Sequence, residues 1–163
     1  MPVCPPTIRP DFSVLNSEPI RTAAATTLLI HNTARGNCVI VGLGIDLVDT
    51  SRMAREFAHT PWQAGDGIFT AGEISYCNAG RQPEQRYAAC FAAKEATLKA
   101  LGTEVLDLGI FREVEVRFSS GVERTIVLHD RVEAIAKKLG ARRLNLSIAL
   151  ATKSVGATVI LES

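Results

Sequence analysis

No apolar run in this 163-residue chain approaches the roughly 18 residues needed to cross a bilayer as a helix. Ala23 to Ile30 imitates the apolar part of a signal peptide. The segment before it, however, has no basic cluster, carries Asp11 and Glu18, and is rich in proline, so the stretch is not read as a leader. Strong net charge is lacking too. Eighteen Lys and Arg against 17 Asp and Glu leave +1, so no overall field draws the chain to nucleic acid or to a membrane surface. The four cysteines, Cys4, Cys38, Cys77 and Cys90, form no C-x-x-C pair and do not cluster with His31, His59 or His129. That argues against a thiolate metal site and for reduced thiols in a cytoplasmic protein. Nucleophile motifs are missing as well: there is no G-x-S-x-G, no S-x-x-K, and no tyrosine four residues before a lysine. This weakens hydrolase and short-chain dehydrogenase readings.

What is present divides near residue 37. Five of the seven prolines (Pro2, Pro5, Pro6, Pro10 and Pro19) fall in the first 22 residues, which predicts a partly irregular extension over 1–37 in which residues 27–30 have the composition of an edge strand. One compact domain is expected over 38–163. Within it, Cys38 to Leu43 reads as a short strand ended by Gly44, and Asp49 and Thr50 are N-cap candidates for a helix reaching about Ala58. Thr70-Ala-Gly-Glu73 matches a capping box opening a helix that ends near Gly80. Residues 84–101 carry the strongest helical pattern, stopped by Gly102. Val114, Val116 and Phe118 alternate and return through Ser-Ser-Gly as 124–128, a hairpin. A helix through Val132 and Leu139 closes at Gly140, and strands follow over 144–150 and 155–161. Hairpins beside helices, without regular βαβ spacing, predict an α+β fold with a mainly antiparallel sheet and packed helices.

Three segments have the composition for chemistry. In Gly42-Leu-Gly-Ile-Asp46 the third glycine of a dinucleotide motif is missing, since residue 47 is leucine. A carboxylate at the mouth of a strand nevertheless suits a cation. In Phe91 to Gly102, Glu95 and Lys99 stand four apart on one helix face. Phe91, Ala92 and Leu98 place Glu95 on or beside the apolar stripe, where an unpaired carboxylate is costly. A cation, or a lysine bridging to bound phosphate, would satisfy it. The strand Leu144-Asn-Leu-Ser147-Ile-Ala-Leu150 puts Asn145 and Ser147 on its polar face and says nothing by itself of catalysis.

Taken in order, Gly44-Ile-Asp46, Thr70-Ala-Gly-Glu73 and Phe91 through Gly102 resemble the holo-acyl-carrier-protein synthase family of 4'-phosphopantetheinyl transferases. The resemblance covers about residues 39–162. It implies the synthase fold, a homotrimer, and transfer of the phosphopantetheine arm of coenzyme A to a serine of an apo acyl carrier protein. On this resemblance Asp46 and Glu95 would hold Mg²⁺ and Lys99 would stand near the reacting phosphate. Lys94, Arg86, Ser147 and Asn145 would face the coenzyme. Arg52 and Arg55, three apart on the helix after Asp46, would dock the carrier protein. The chain also departs from the family. H-V-S-I-[ST]-H reads Asn145-Leu-Ser-Ile-Ala-Leu150, Cys90 replaces the arginine before Phe91, and Gly-[KR]-Pro reads Gly121-Val-Glu123. Two alternatives follow from these losses: an enzyme of this fold acting on a carrier-bound acyl thioester, such as a dehydratase or isomerase, or a non-catalytic carrier-binding subunit.

Overall fold

The computed structural model describes residues 39–59, 67–103, 108–118 and 124–163. The 1–37 extension and the hairpin turn at 119–123 lie outside the described residues. The elements follow in the order β1 (Ile40–Asp49), α1 (Thr50–His59), α2 (Ala71–Asn78), α3 (Pro83–Ala100), a 3₁₀ turn (Leu108–Glu113), β2 (Val114–Phe118), β3 (Arg124–Leu128), α4 (Asp130–Lys138), β4 (Arg143–Leu150) and β5 (Ser154–Glu162). β1, β5 and β4 form one antiparallel sheet in that order, and β2–β3 form a separate hairpin. The architecture is α+β with antiparallel sheets, as expected from the alternation.

Helix α3 is the spine of the molecule. Pro83 starts it, where the missing N–H costs nothing. Gly102, at φ +65°, lets the chain leave. Ala88, Ala89, Ala92, Ala93, Ala96 and Ala100 are all buried, so α3 is small-sided almost all round and fits tightly between other elements. Against one side lies the sheet. Val155, Ala157, Val159 and Leu161 of β5 are buried at every second residue, as a strand with one covered face requires. On α2's side the capping box forms as its sequence predicts. The Glu73 backbone N–H donates to Thr70 Oγ1 at 3.3 Å, and the Thr70 backbone N–H donates to Glu73 Oε2 at 2.7 Å.

The first strand differs from the sequence reading. It does not stop at Gly44 but continues to Asp49, and the reason is packing. A Cβ on Gly42 would stand 2.2 Å from the Ala100 carbonyl oxygen, and one on Gly44 only 1.9 Å from that of Ala96. The two glycines are therefore where α3 passes against β1, and they neither turn the chain nor cradle a nucleotide.

Candidate active site

That close approach sets the site. Two strand residues advance about 6.6 Å and four helical residues about 6 Å, so Gly42 against Ala100 and Gly44 against Ala96 define matched, antiparallel steps. The next inward position on β1 is Asp46, and it falls beside the turn of α3 that carries Glu95 and Lys99. Helical side chains lean toward the N-terminus, so the Lys99 stem leans back over this turn. Lys99 Nζ donates to Asp46 Oδ1 at 2.7 Å and approaches the Ile45 carbonyl at 3.4 Å. The Asp46 side chain is 15% exposed and that of Lys99 51%, so the pair lies at the edge of the α3–β1 seam and is open to solvent.

Glu95 completes the group. Burial first, and the Asp46 charge second, push its carboxyl above the ordinary value of 4.5, with Lys99 opposing. Lys99 itself is raised above 10.5, chiefly by its hydrogen bond with Asp46. Lys99 is thus ion-paired with Asp46, and Glu95 lies within electrostatic range of both. Among the described residues the Glu95 carboxylate has no hydrogen-bond or ion-pair partner. The same residues hold no cluster of three or more His, Cys, Asp or Glu placed for a metal. A two-carboxylate set with a deficit of positive charge fits a hard divalent cation whose remaining positions are filled by phosphate oxygens and water.

The other expected site residues are placed elsewhere. Lys94, expected to face the coenzyme, is 0% exposed and turned into the protein. Its ammonium pairs with Glu73 Oε2 at 3.0 Å and donates to the Phe111 carbonyl at 2.8 Å and the Val114 carbonyl at 2.5 Å. All three of its protons are engaged, so Lys94 is removed from the coenzyme-facing set. Burial pushes its pKa down and Glu73 resists. Glu73 also accepts from the Val116 N–H at 2.7 Å, a role beyond the capping box that the sequence did not disclose.

Arg86 lies nine residues before Glu95, half a turn round the helix and about 13 Å along it. Its guanidinium covers the Tyr76 ring at 4.4 Å and donates to the Tyr76 carbonyl. Asn145 and Ser147 pair with Ile160 and Thr158, which places them on the sheet face opposite α3. Asn145 Nδ2 donates to Glu162 Oε2 at 3.0 Å. Within one chain neither meets Asp46. Arg52 and Arg55 are exposed on α1. The Arg52 backbone N–H donates to Asp49 Oδ1 at 2.9 Å, as the N-cap reading requires, and Arg55 Nη1 reaches Ser51 Oγ at 3.5 Å.

A carboxylate pair at a glycine-tight helix–strand seam, with a lysine one turn along, is an acidic centre suited to handling phosphate esters through a cation. Residues 42–151 match the family model of the 4'-phosphopantetheinyl transferase superfamily. The chain belongs to that superfamily. It is 36% identical over 124 residues to a holo-[acyl-carrier-protein] synthase of Koribacter versatilis, covering 76% of this chain and 99% of the relative. With the corresponding synthase of Anaeromyxobacter dehalogenans it shares 37% identity over 131 residues, 76% of this chain and 97% of the relative. Among solved structures, the synthase of Neisseria meningitidis superposes with a TM-score of 0.68 at 26% identity, over 77% of this chain and 100% of the other. The Bacillus anthracis synthase in complex with CoA (3',5'-ADP) superposes with a TM-score of 0.60 at 27% identity, over 76% and 97%. No described helix is long and apolar enough to cross a membrane.

Proposed function

We propose that this chain is a holo-acyl-carrier-protein synthase. It transfers the 4'-phosphopantetheine arm of coenzyme A to a serine of apo acyl carrier protein, through residues 38–163, in the cytoplasm. The observation that carries this reading is the meeting of Asp46, Glu95 and Lys99 at one seam, in a chain that spans nearly the full length of its synthase relatives. Those relatives give no support to action on an acyl thioester or to a non-catalytic binding role.

In the reaction the serine oxygen bonds to the β-phosphorus of coenzyme A and its proton passes to solvent water. The bond from that phosphorus to the departing oxygen breaks, releasing 3',5'-ADP. Asp46 and Glu95 would hold Mg²⁺, which when bound offsets the negative charge of the pyrophosphate. Lys99 is the chain's own contribution beside them. Its raised pKa keeps it a full cation at neutral pH, so it serves by stabilising charge on the phosphates. The exposed Arg52 and Arg55, three apart on α1, form a basic patch next to the site that suits an acidic carrier protein.

The protein is a homotrimer on this reading, with the coenzyme at a subunit boundary. Leu43, Ile45 and Leu47 are 57%, 61% and 72% exposed on the sheet face away from α3. Contiguous apolar surface of this kind marks an interface, and Asn145 and Ser147 lie on the same face. The function is tested by following release of 3',5'-ADP from coenzyme A in the presence of apo carrier protein. Release that depends on the chain, on Mg²⁺ and on the carrier protein is expected. Coenzyme turnover without carrier modification would refute it.

A further inference from the structure

The two cysteines among the described residues face each other inside the protein. Cys77 lies in the last turn of α2 and Cys90 near the middle of α3. Both are 0% exposed, and their Sγ atoms are 3.7 Å apart. They belong to a regular set of contacts. Glu73, one turn before Cys77, pairs with Lys94, one turn after Cys90, at 3.0 Å. On the other side the Tyr87 hydroxyl donates to Asn78 Oδ1 at 3.0 Å. Helix α2 therefore runs antiparallel to α3, with the thiols between an ion pair and a hydrogen bond.

Packing alone asks less than this. A buried cysteine serves as a small apolar side chain, and two of them need not meet. Here each sulfur is the other's hydrogen-bond partner, and the contacts on either side hold them in register. A disulfide bond of about 2.05 Å requires the sulfurs to approach by about 1.7 Å, which rotation about each Cα–Cβ bond and a small slide of α2 supply. Cys90 is also a position at which the chain departs from its family motif, so the pair is a feature of this chain. The hydrogen bond with Cys77 and burial hold the Cys90 thiol well above its ordinary value. Cys90 therefore rests as the protonated thiol.

We propose that Cys77 and Cys90 are a covalent modification site, a reversible disulfide that locks α2 onto α3 when the chain meets a hydroperoxide. One thiolate attacks a peroxide oxygen, the O–O bond breaks, and a sulfenic acid forms with release of water or alcohol. The second sulfur then attacks the first, and the sulfenic oxygen leaves as water. The two thiols lose two electrons and two protons, and the peroxide is reduced. Helix α2 has only eight residues, so it opens more readily than α3 and admits the oxidant. That opening is the slow step. The cross-link joins residues 13 apart in sequence and removes freedom from the unfolded chain. Cys90 lies about 140° round α3 from Glu95, so the lock acts away from the seam with Asp46 and does not depend on the transferase reading.

The test uses the full chain carrying Cys4→Ser and Cys38→Ser, in which Cys77 and Cys90 are the only thiols left. It is treated with hydrogen peroxide, unfolded in urea and labelled with a maleimide, and its intact mass is measured. Untreated chain takes two labels. Treated chain takes none, is lighter by two hydrogens, and regains both labels after dithiothreitol. The oxidised chain should also melt higher by about 5 °C or more, and adding Cys90→Ser should abolish that rise. Labelling of the intact pair decides the proposal even where Cys90→Ser fails to fold. Two labels retained after peroxide, or oxygen atoms added to separate thiols, overturn it. So do a disulfide between two chains, seen as a dimer on a non-reducing gel, and an oxidised chain that melts lower than the reduced one.

Discussion

Lys94 and Glu95 are neighbours in sequence with opposite fates, because consecutive helical residues point about 100° apart. Lys94 turns inward to Glu73 and two carbonyls, and Glu95 stays half-buried within electrostatic range of Asp46 and Lys99. Sequence could not separate them: the alanines around both make α3 small-sided on nearly every face, so no polar stripe marks which of the two is solvated. A buried ion pair that loses one partner leaves an uncompensated charge. Lys94→Met is therefore expected to lower unfolding stability by about 3 kcal/mol or more, read by urea denaturation. Adding Glu73→Gln should return part of it. A direct role in coenzyme binding would instead raise KM with stability unchanged.

Glu95 makes the opposite prediction. Its folded pKa is raised above 4.5, so the folded state holds the proton more tightly than the unfolded chain does. Its contribution therefore becomes unfavourable as pH rises through the carboxylate range, and at neutral pH the ionised side chain is a net cost. Without divalent cation, Glu95→Gln should raise Tm at pH 7 by ~2 °C, solvent screening keeping the gain under about 1 kcal/mol. The gain should vanish below pH 4. A lower Tm in the variant at pH 7 would contradict the strained-carboxylate account.

The unit that matters among elements is the α3–β1 seam. Most elements were legible from capping, turn residues and alternation: the box at Thr70 and Glu73, the stop at Gly102, the hairpin over 114–128, and the two closing strands. The length of β1 was not. Glycines in a strand pattern look like a turn unless the partner is known, and the partner here is a backbone more than 50 residues downstream. Asp46 is thus set inside a strand, and its distance from Glu95 depends on how closely α3 approaches. Gly44→Ala would put a methyl 1.9 Å from the Ala96 carbonyl and force the helix away. It is expected to cost about 1–3 kcal/mol of stability and to reduce transferase kcat more than the loss of folded protein explains. A variant as active per folded molecule as wild type would show that the seam does not set the site.

For the whole molecule, the open sheet face and the acidic seam belong to one account. Composition hinted at neither. The apolar residues of β1 alternate with two glycines and an aspartate, and only pairing with β5 shows Leu43, Ile45 and Leu47 on a common uncovered face. Ile45→Asp should convert a trimer to monomers by light scattering while the circular dichroism spectrum is kept. A wild type that is monomeric at micromolar concentration would contradict the assembly. The Glu95–Lys99 spacing was legible because it is local to one helix, and Asp46 because it closes the Gly44-Ile-Asp46 motif; their proximity across the seam came only with the fold.

The most direct measurement is the intact mass of an apo acyl carrier protein incubated with this chain, coenzyme A and Mg²⁺. Asp46→Ala, verified as folded, runs in parallel. The account predicts that the carrier gains the mass of one phosphopantetheine arm with wild type and remains unmodified with Asp46→Ala. An unmodified carrier with wild type, or equal modification by the variant, would contradict it.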